Sequence, residues 1–180
     1  MSGIRRIEML SAFVLLVLLT SLFAGCLNDS SDKNMEYGAD FQFTLLNGEK
    51  KSMSDYKGKI VLLDFMGANC GPCQLQIYVL EQLYDEYKND GLEIVSIDVW
   101  IISGETIDIM HQFIQAFQQQ GLDLDWLFGV DDTSGTLYYK YADSGVPMLY
   151  LLDKNGNIYY TKAGYTEYSI LAGKIDELLD

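Results

Sequence analysis

Apolar positions along this chain change period from one segment to the next. Ile60 to Phe65 is apolar except for Asp64, the pattern of a strand buried on both faces. Between Gly71 and Lys88 the apolar residues return at helical spacing. Leu75, Val79, Leu83 and Tyr87 mark the expected buried face, and Asn89-Asp90-Gly91 closes the helix. "LEIVSIDVW" reads as a second buried strand. Residues 105–120 read as an amphipathic helix with Ile107, Met110, Ile114 and Phe117 on one side. "DWLFGV" is a short strand, and Thr133 to Tyr141 a short helix after an Asp-Asp cap. "VPMLYLLD" and "IYYTKAGY" form a hairpin around "KNGN". A last helix, capped by Thr166, carries Leu171, Ile175 and Leu178 inward. Upstream, "DFQFTLLNGEKKSMSDYKG" reads as a strand, an Asn47-Gly48 turn and a helical turn near Ser54. Alternating strands and helices predict an α/β domain, with a mixed central sheet covered on both faces.

The first 36 residues do not share this pattern. Arg5 and Arg6 precede the apolar stretch "MLSAFVLLVLLTSLFA", and residues 1–25 read as an export signal peptide. A spanning helix needs about 20 apolar residues, so a cleaved signal is the expectation and an uncleaved anchor the alternative. "LFAGC" resembles a lipobox, with Phe23 where an aliphatic residue is usual, and it marks Cys26 as the lipid attachment point. Residues 26–36 then form a lipidated cysteine and flexible polar tether, and residues 37–180 the folded domain. These assignments predict a location at the extracytoplasmic face of the cell membrane.

Charge narrows the partners. The chain carries 12 basic and 26 acidic residues; losing Arg5, Arg6 and Glu8 with the signal leaves 10 and 25, near −15. Such a surface repels phosphate backbones, so no nucleic acid partner is expected. It also repels anionic headgroups, so the domain stands off the membrane on its tether.

The chemistry lies in "GANCGPCQ". Outside the cytoplasm disulfides persist, yet a bridge between Cys70 and Cys73 closes too small a loop to restrain the unfolded chain much. Cys70 sits where a strand gives way to a helix, and free N–H groups and the helix dipole lower a thiol pKa there. Cys73 lies one turn on, and Gly71 and Pro72 occupy the first turn, where proline is tolerated. The expectation is an exposed nucleophile, Cys70, and a shielded resolving thiol, Cys73. Asp64, inside an apolar run, should have a raised pKa suited to proton transfer with Cys73. A zinc site wants four ligands, and the chain offers one cysteine pair and a single histidine, His111, on the outer side of its helix. No metal and no cofactor beyond the redox-active disulfide are expected. Pro147 opens a strand; a cis Val146–Pro147 bond would free the Val146 backbone for an extended substrate, whereas an ordinary trans proline is the simpler reading.

"DFMGANCGPC", with "GVP" before an apolar strand and a "DKNGNI" hairpin, resembles the thioredoxin superfamily. "ADFQFTLLNGEKKSMSDYKGKIVLLDF" resembles its exported, membrane-anchored TlpA-like (redoxin) branch. The resemblance covers about residues 37–180. It implies a thioredoxin-like fold with an extra N-terminal β-hairpin and a helical insertion at 105–120. It also implies nucleophilic Cys70, resolving Cys73, proton-moving Asp64 and a cis Pro147 beside the cysteines. Three positions depart from the family pattern. Asn69 stands where Trp is usual, Met66 replaces another aromatic, and Tyr78 replaces a helix-kinking proline. Asn69 and Val146 would then meet substrate.

The function expected is an extracytoplasmic, membrane-tethered thiol–disulfide oxidoreductase, a reductase. Its partners would be disulfide-containing exported proteins such as cytochrome apoproteins, and a membrane electron donor. Two alternatives stand beside it. One is a peroxiredoxin-like peroxidase, which needs Thr where Gly67 stands; the other is a non-catalytic copper-handling module.

Overall fold

The computed structural model describes residues 42–180, and the signal, Cys26 and tether assignments lie outside the described residues. Three strands run parallel at the centre: β3 (Ile60–Met66), β4 (Leu92–Asp98) and β5 (Leu127–Val130). A hairpin of β1 (Gln42–Leu45) and β2 (Lys50–Ser52) adds antiparallel to β5, and a second hairpin, β6 (Met148–Leu152) with β7 (Ile158–Ala163), adds antiparallel to β3. The seven-stranded order is β2-β1-β5-β4-β3-β6-β7. The helices are α1 (Gly71–Tyr87), α2 (Ile107–Gln118) and α3 (Tyr168–Leu179). Among the described residues no helix is long and apolar enough to cross a membrane.

Strand pleating sorts the core. In β3, Ile60, Leu62 and Met66 share a cluster with Cys70, Cys73, Ile77 and Leu80. Val61, Leu63 and Phe65 point the other way, into a cluster with Met53, Tyr56, Tyr141 and Tyr150. Side chains alternate along a strand, so Asp64 faces the helix side with the cysteines. Leu62, Leu63, Ile77, Leu80 and Leu83 are fully buried, each contributing about 1.5–3 kcal/mol.

Three local expectations are corrected. Leu75 is 59% exposed; Val79, Leu83 and Tyr87 are buried as expected, and Cys73, Gln76, Ile77 and Leu80 complete the buried face of α1. A four-residue repeat turns about 40° further at each step, so Leu75, three steps before Tyr87, falls off the face that the rest of the stripe buries. Thr166 does not cap α3. Its N–H donates to Gln76 Oε1 at 2.8 Å and Gln76 Nε2 donates to its carbonyl at 3.2 Å, while Glu167 takes the cap position without a side-chain bond. The segment after Asp131-Asp132 is no ordinary helix. It closes as a π-helical turn over Tyr138–Ala142, with the Asp131 carboxylate accepting the Leu137 and Tyr138 N–H groups.

Candidate active site

β3 ends at Met66, and the chain turns through Gly67–Cys70 into α1. The turn closes when the Cys70 N–H donates to the Gly67 carbonyl at 3.1 Å. Cys70 takes an extended conformation at the N-cap of α1, Pro72 lies in the first turn, and Cys70 and Cys73 are joined by a disulfide. The Cys73 N–H points at Cys70 Sγ, 3.2 Å away. That donor, with the helix dipole behind it, stabilises negative charge on the same sulfur once the bridge opens.

Both cysteines are buried, Cys70 at 4% exposure and Cys73 at 1%, so in this bridged form the expected exposed nucleophile is covered. Part of the cover is the Val146 carbonyl, whose oxygen lies 3.7 Å from Cys70 Sγ. The Val146–Pro147 bond is cis. Val146 is half-buried and Asn69 exposed.

Asp64 is 1% exposed. Ser96 on β4 donates to its Oδ2 at 3.0 Å, and Trp126 Nε1 donates to Ser96 Oγ at 3.1 Å. Its Oδ1 has no partner. Burial pushes its pKa up to about 7, with the Ser96 hydroxyl opposing weakly. A group half-protonated near neutrality, on the sheet face that carries Cys73, suits proton exchange with a shielded thiol.

Other contributors were not legible in the motif. Trp100 stacks over Gly67 so closely that a Cβ there would fall 2.5 Å from its ring. This indole covers the approach loop from β4's end, while the position before Cys70 holds Asn69. Glu105 is buried and holds the loop itself. Its Oε2 accepts the Ala68 N–H at 2.7 Å; its Oε1 accepts the Asn69 N–H at 2.9 Å and Asn69 Nδ2 at 2.6 Å. Gln74 Nε2 donates to the Ala68 carbonyl at 2.9 Å. No spacing rule would have singled out Trp100 and Glu105, because they reach the loop from a distant segment.

Beside Asn69 and Gly71 a groove of about 440 Å³ runs between α1 and α2. Leu75, Tyr78, Phe113 and Phe117 line it with several amide side chains, and no charged residue does. Tyr78 stacks edge-on against Phe117 and donates to Gln120 Oε1 at 2.9 Å, so the tyrosine that replaces the family's proline ties the two helices together. His111 is exposed on α2. Among the described residues no three His, Cys, Asp or Glu side chains converge as metal ligands.

Comparison with known proteins agrees with this geometry. The AhpC/TSA family model matches residues 37–161. The thiol-disulfide oxidoreductase ResA of Bacillus cereus is 31% identical over 132 residues, covering 72% of this chain and 70% of that protein. ResA of Geobacillus kaustophilus is 33% identical over 119 residues, or 66% and 63% of the two chains. Among solved structures, the thioredoxin domain of a Bacteroides vulgatus thiol-disulfide oxidoreductase superposes with TM-score 0.65 at 20% identity, over 82% of this chain and 98% of that one. StoA from Bacillus subtilis gives 0.60 at 24%, over 75% and 95%. The fold is thioredoxin-like, with the N-terminal hairpin and the helix α2 added to it.

Proposed function

From the premise that this chain belongs to the AhpC/TSA family as a ResA-like thiol–disulfide oxidoreductase, we propose that it reduces disulfides of exported proteins from a membrane tether. The observation that supports the dithiol chemistry and the roles of the two sulfurs is the Cys70–Cys73 bridge at the mouth of α1, with the Cys73 N–H aimed at Cys70 Sγ.

In the reduced protein the Cys70 thiolate attacks one sulfur of the substrate disulfide. A Cys70–substrate bond forms as the substrate bond breaks, and the departing thiolate takes a proton from solvent. Cys73 then loses its proton to Asp64 and attacks Cys70 Sγ. The internal bridge closes and the second substrate thiolate leaves. Two electrons pass from the dithiol to the substrate, and a membrane electron donor resets the bridge. An extended substrate segment pairs with the Val146 backbone, while flanking residues lie along the uncharged groove past Asn69. That groove suits apolar or amide-bearing segments on a chain of net charge −14. Exported cytochrome apoproteins carry cysteine pairs of the kind this chemistry would reduce. Lipid on Cys26, followed by the polar segment after it, supplies the tether on the extracytoplasmic side.

The peroxidase alternative requires a threonine at position 67. Trp100 leaves no room there for any side chain, which weighs against it. The copper alternative predicts that disulfide exchange survives loss of Cys70. Insulin reduction by the purified chain and by Cys70→Ser separates these readings. The expected result is loss of the catalysed rate in the variant; equal rates would discard the proposal. Peroxide consumption by the same proteins tests the peroxidase.

A further inference from the structure

Two carboxyl groups that the dithiol mechanism leaves unused lie buried against the redox loop. After Asp98 at the end of β4, a 3-10 turn over Trp100–Ser103 and Gly104 at φ +98° fold the chain back, and the Glu105 N–H donates to the Trp100 carbonyl at 3.2 Å. The turn delivers Glu105 to Ala68 and Asn69, the residues immediately before Cys70. A buried carboxylate costs several kcal/mol unless its lone pairs are filled. Here three donors fill them, so Glu105 sits as an anion clamped onto the loop. Asp98 is fully buried beside it. Its Oδ1 accepts the Trp100 N–H at 2.8 Å, and its Oδ2 has no donor aimed at it. An acceptor with no donor is unfavourable, and a carboxylic O–H that itself donates to Glu105 is not.

On the thiol–disulfide reading above, we propose that Glu105 is a positioning residue for Cys70, and that a proton carried by Asp98 keeps it in place. Glu105 fixes the Ala68 and Asn69 peptides and so the Gly67–Cys70 turn, which in turn sets Cys70 Sγ over the Cys73 N–H. Neutral Asp98 donates to Glu105 without adding a second charge. When Asp98 ionises, two carboxylates face each other and the clamp loosens. The groups facing Asp98 are Glu105 from the turn after β4 and Asp131 from the end of β5. Burial, and then the Glu105 charge, push its pKa well above the usual carboxylate range. The hold on Cys70 therefore lasts while Asp98 keeps its proton and fails once it ionises at higher pH.

The test is the alkylation rate of Cys70 by iodoacetamide across pH 5–10 in the reduced full chain, read on the Cys70 peptide by mass spectrometry. It is paired with the reduction potential against glutathione and with insulin reduction. Native protein should show an inflection from the thiol and a second from Asp98; Asp98→Asn, which donates to Glu105 at every pH, should show only the first. Glu105→Ala should move the thiol pKa toward the free value of about 8.5 and slow insulin reduction at least tenfold, with Glu105→Gln between it and native. An Asp98→Asn profile identical to native would overturn the role of the proton. A folded Glu105→Ala with unchanged thiol pKa, potential and rate would overturn the positioning role. Should Glu105→Ala fail to fold, Glu105→Gln decides by the same readouts. Cys70→Ser run alongside reports separately on the oxidoreductase reading, since its full activity would discard that reading whatever the carboxyl variants do.

Discussion

Asp64→Asn should make the oxidised protein more stable, and increasingly so as pH rises. Holding the carboxyl at about 7 against an ordinary 3.8 means that ionising it inside the fold costs about 4 kcal/mol, at roughly 1.4 kcal/mol per pH unit. The sign follows from proton linkage. The folded state binds this proton more tightly than the unfolded chain does, so native stability falls as pH climbs from about 4 to 7, then levels off. Asparagine is isosteric and keeps an acceptor for the Ser96 hydroxyl. Its amide is left as poorly partnered as the neutral carboxyl at Oδ1, so the two proteins should nearly match at pH 4. Between pH 5 and 8 the gap should widen by about 3 kcal/mol. Urea denaturation of both proteins with the bridge intact measures it, free of thiol titration. A gap constant to within about 0.5 kcal/mol across that range would refute the claim that the native carboxyl is forced toward neutrality. The same variant should slow resolution of the mixed disulfide by about 100-fold, because general acid–base help is lost. Stability gained and turnover lost together would mark Asp64 as a group retained for chemistry.

Further outcomes follow from the same geometry. Cys73→Ser should accumulate a covalent Cys70–substrate disulfide, visible as a mass adduct that dithiothreitol removes, because the resolving sulfur is gone. Gly67→Ala should cost about 1–3 kcal/mol in urea denaturation, since its Cβ would sit 2.5 Å from the Trp100 ring, and adding Trp100→Ala should recover part of that loss. If Cys26 carries the lipid, Cys26→Ala should move the chain from the membrane pellet to the soluble fraction; persistence in the pellet would favour an uncleaved anchor.

Elements with one strong period were legible without coordinates. β3 and β4 announced themselves as apolar runs, and the hairpin turn at Lys154–Asn157 by its glycine and asparagines. The redox pair was equally plain, since a cysteine, Gly-Pro and a second cysteine at a strand-to-helix junction place two sulfurs within bonding reach by local geometry alone. The oddity of Asp64 in an apolar run also pointed to a buried acid, because a carboxyl cannot share such a strand without losing its water. Local rules failed where the answer depended on what packs against a segment. Leu75 obeys helical spacing but faces a groove, because the core meets α1 along the line of Ile77, Leu80 and Leu83. Thr166 has the chemistry of a cap, yet the Gln76 amide reaches it from 90 residues away. Glu105 and Asp98 look like ordinary polar residues in the chain. Only the tertiary fold, by turning Glu105 back onto the cysteine loop and sealing Asp98 beside it, makes two acids into partners of a thiol. The sequence by itself therefore determined which bonds are easy to make locally. The fold decided which groups lose water together, and charge and pKa follow from that shared loss.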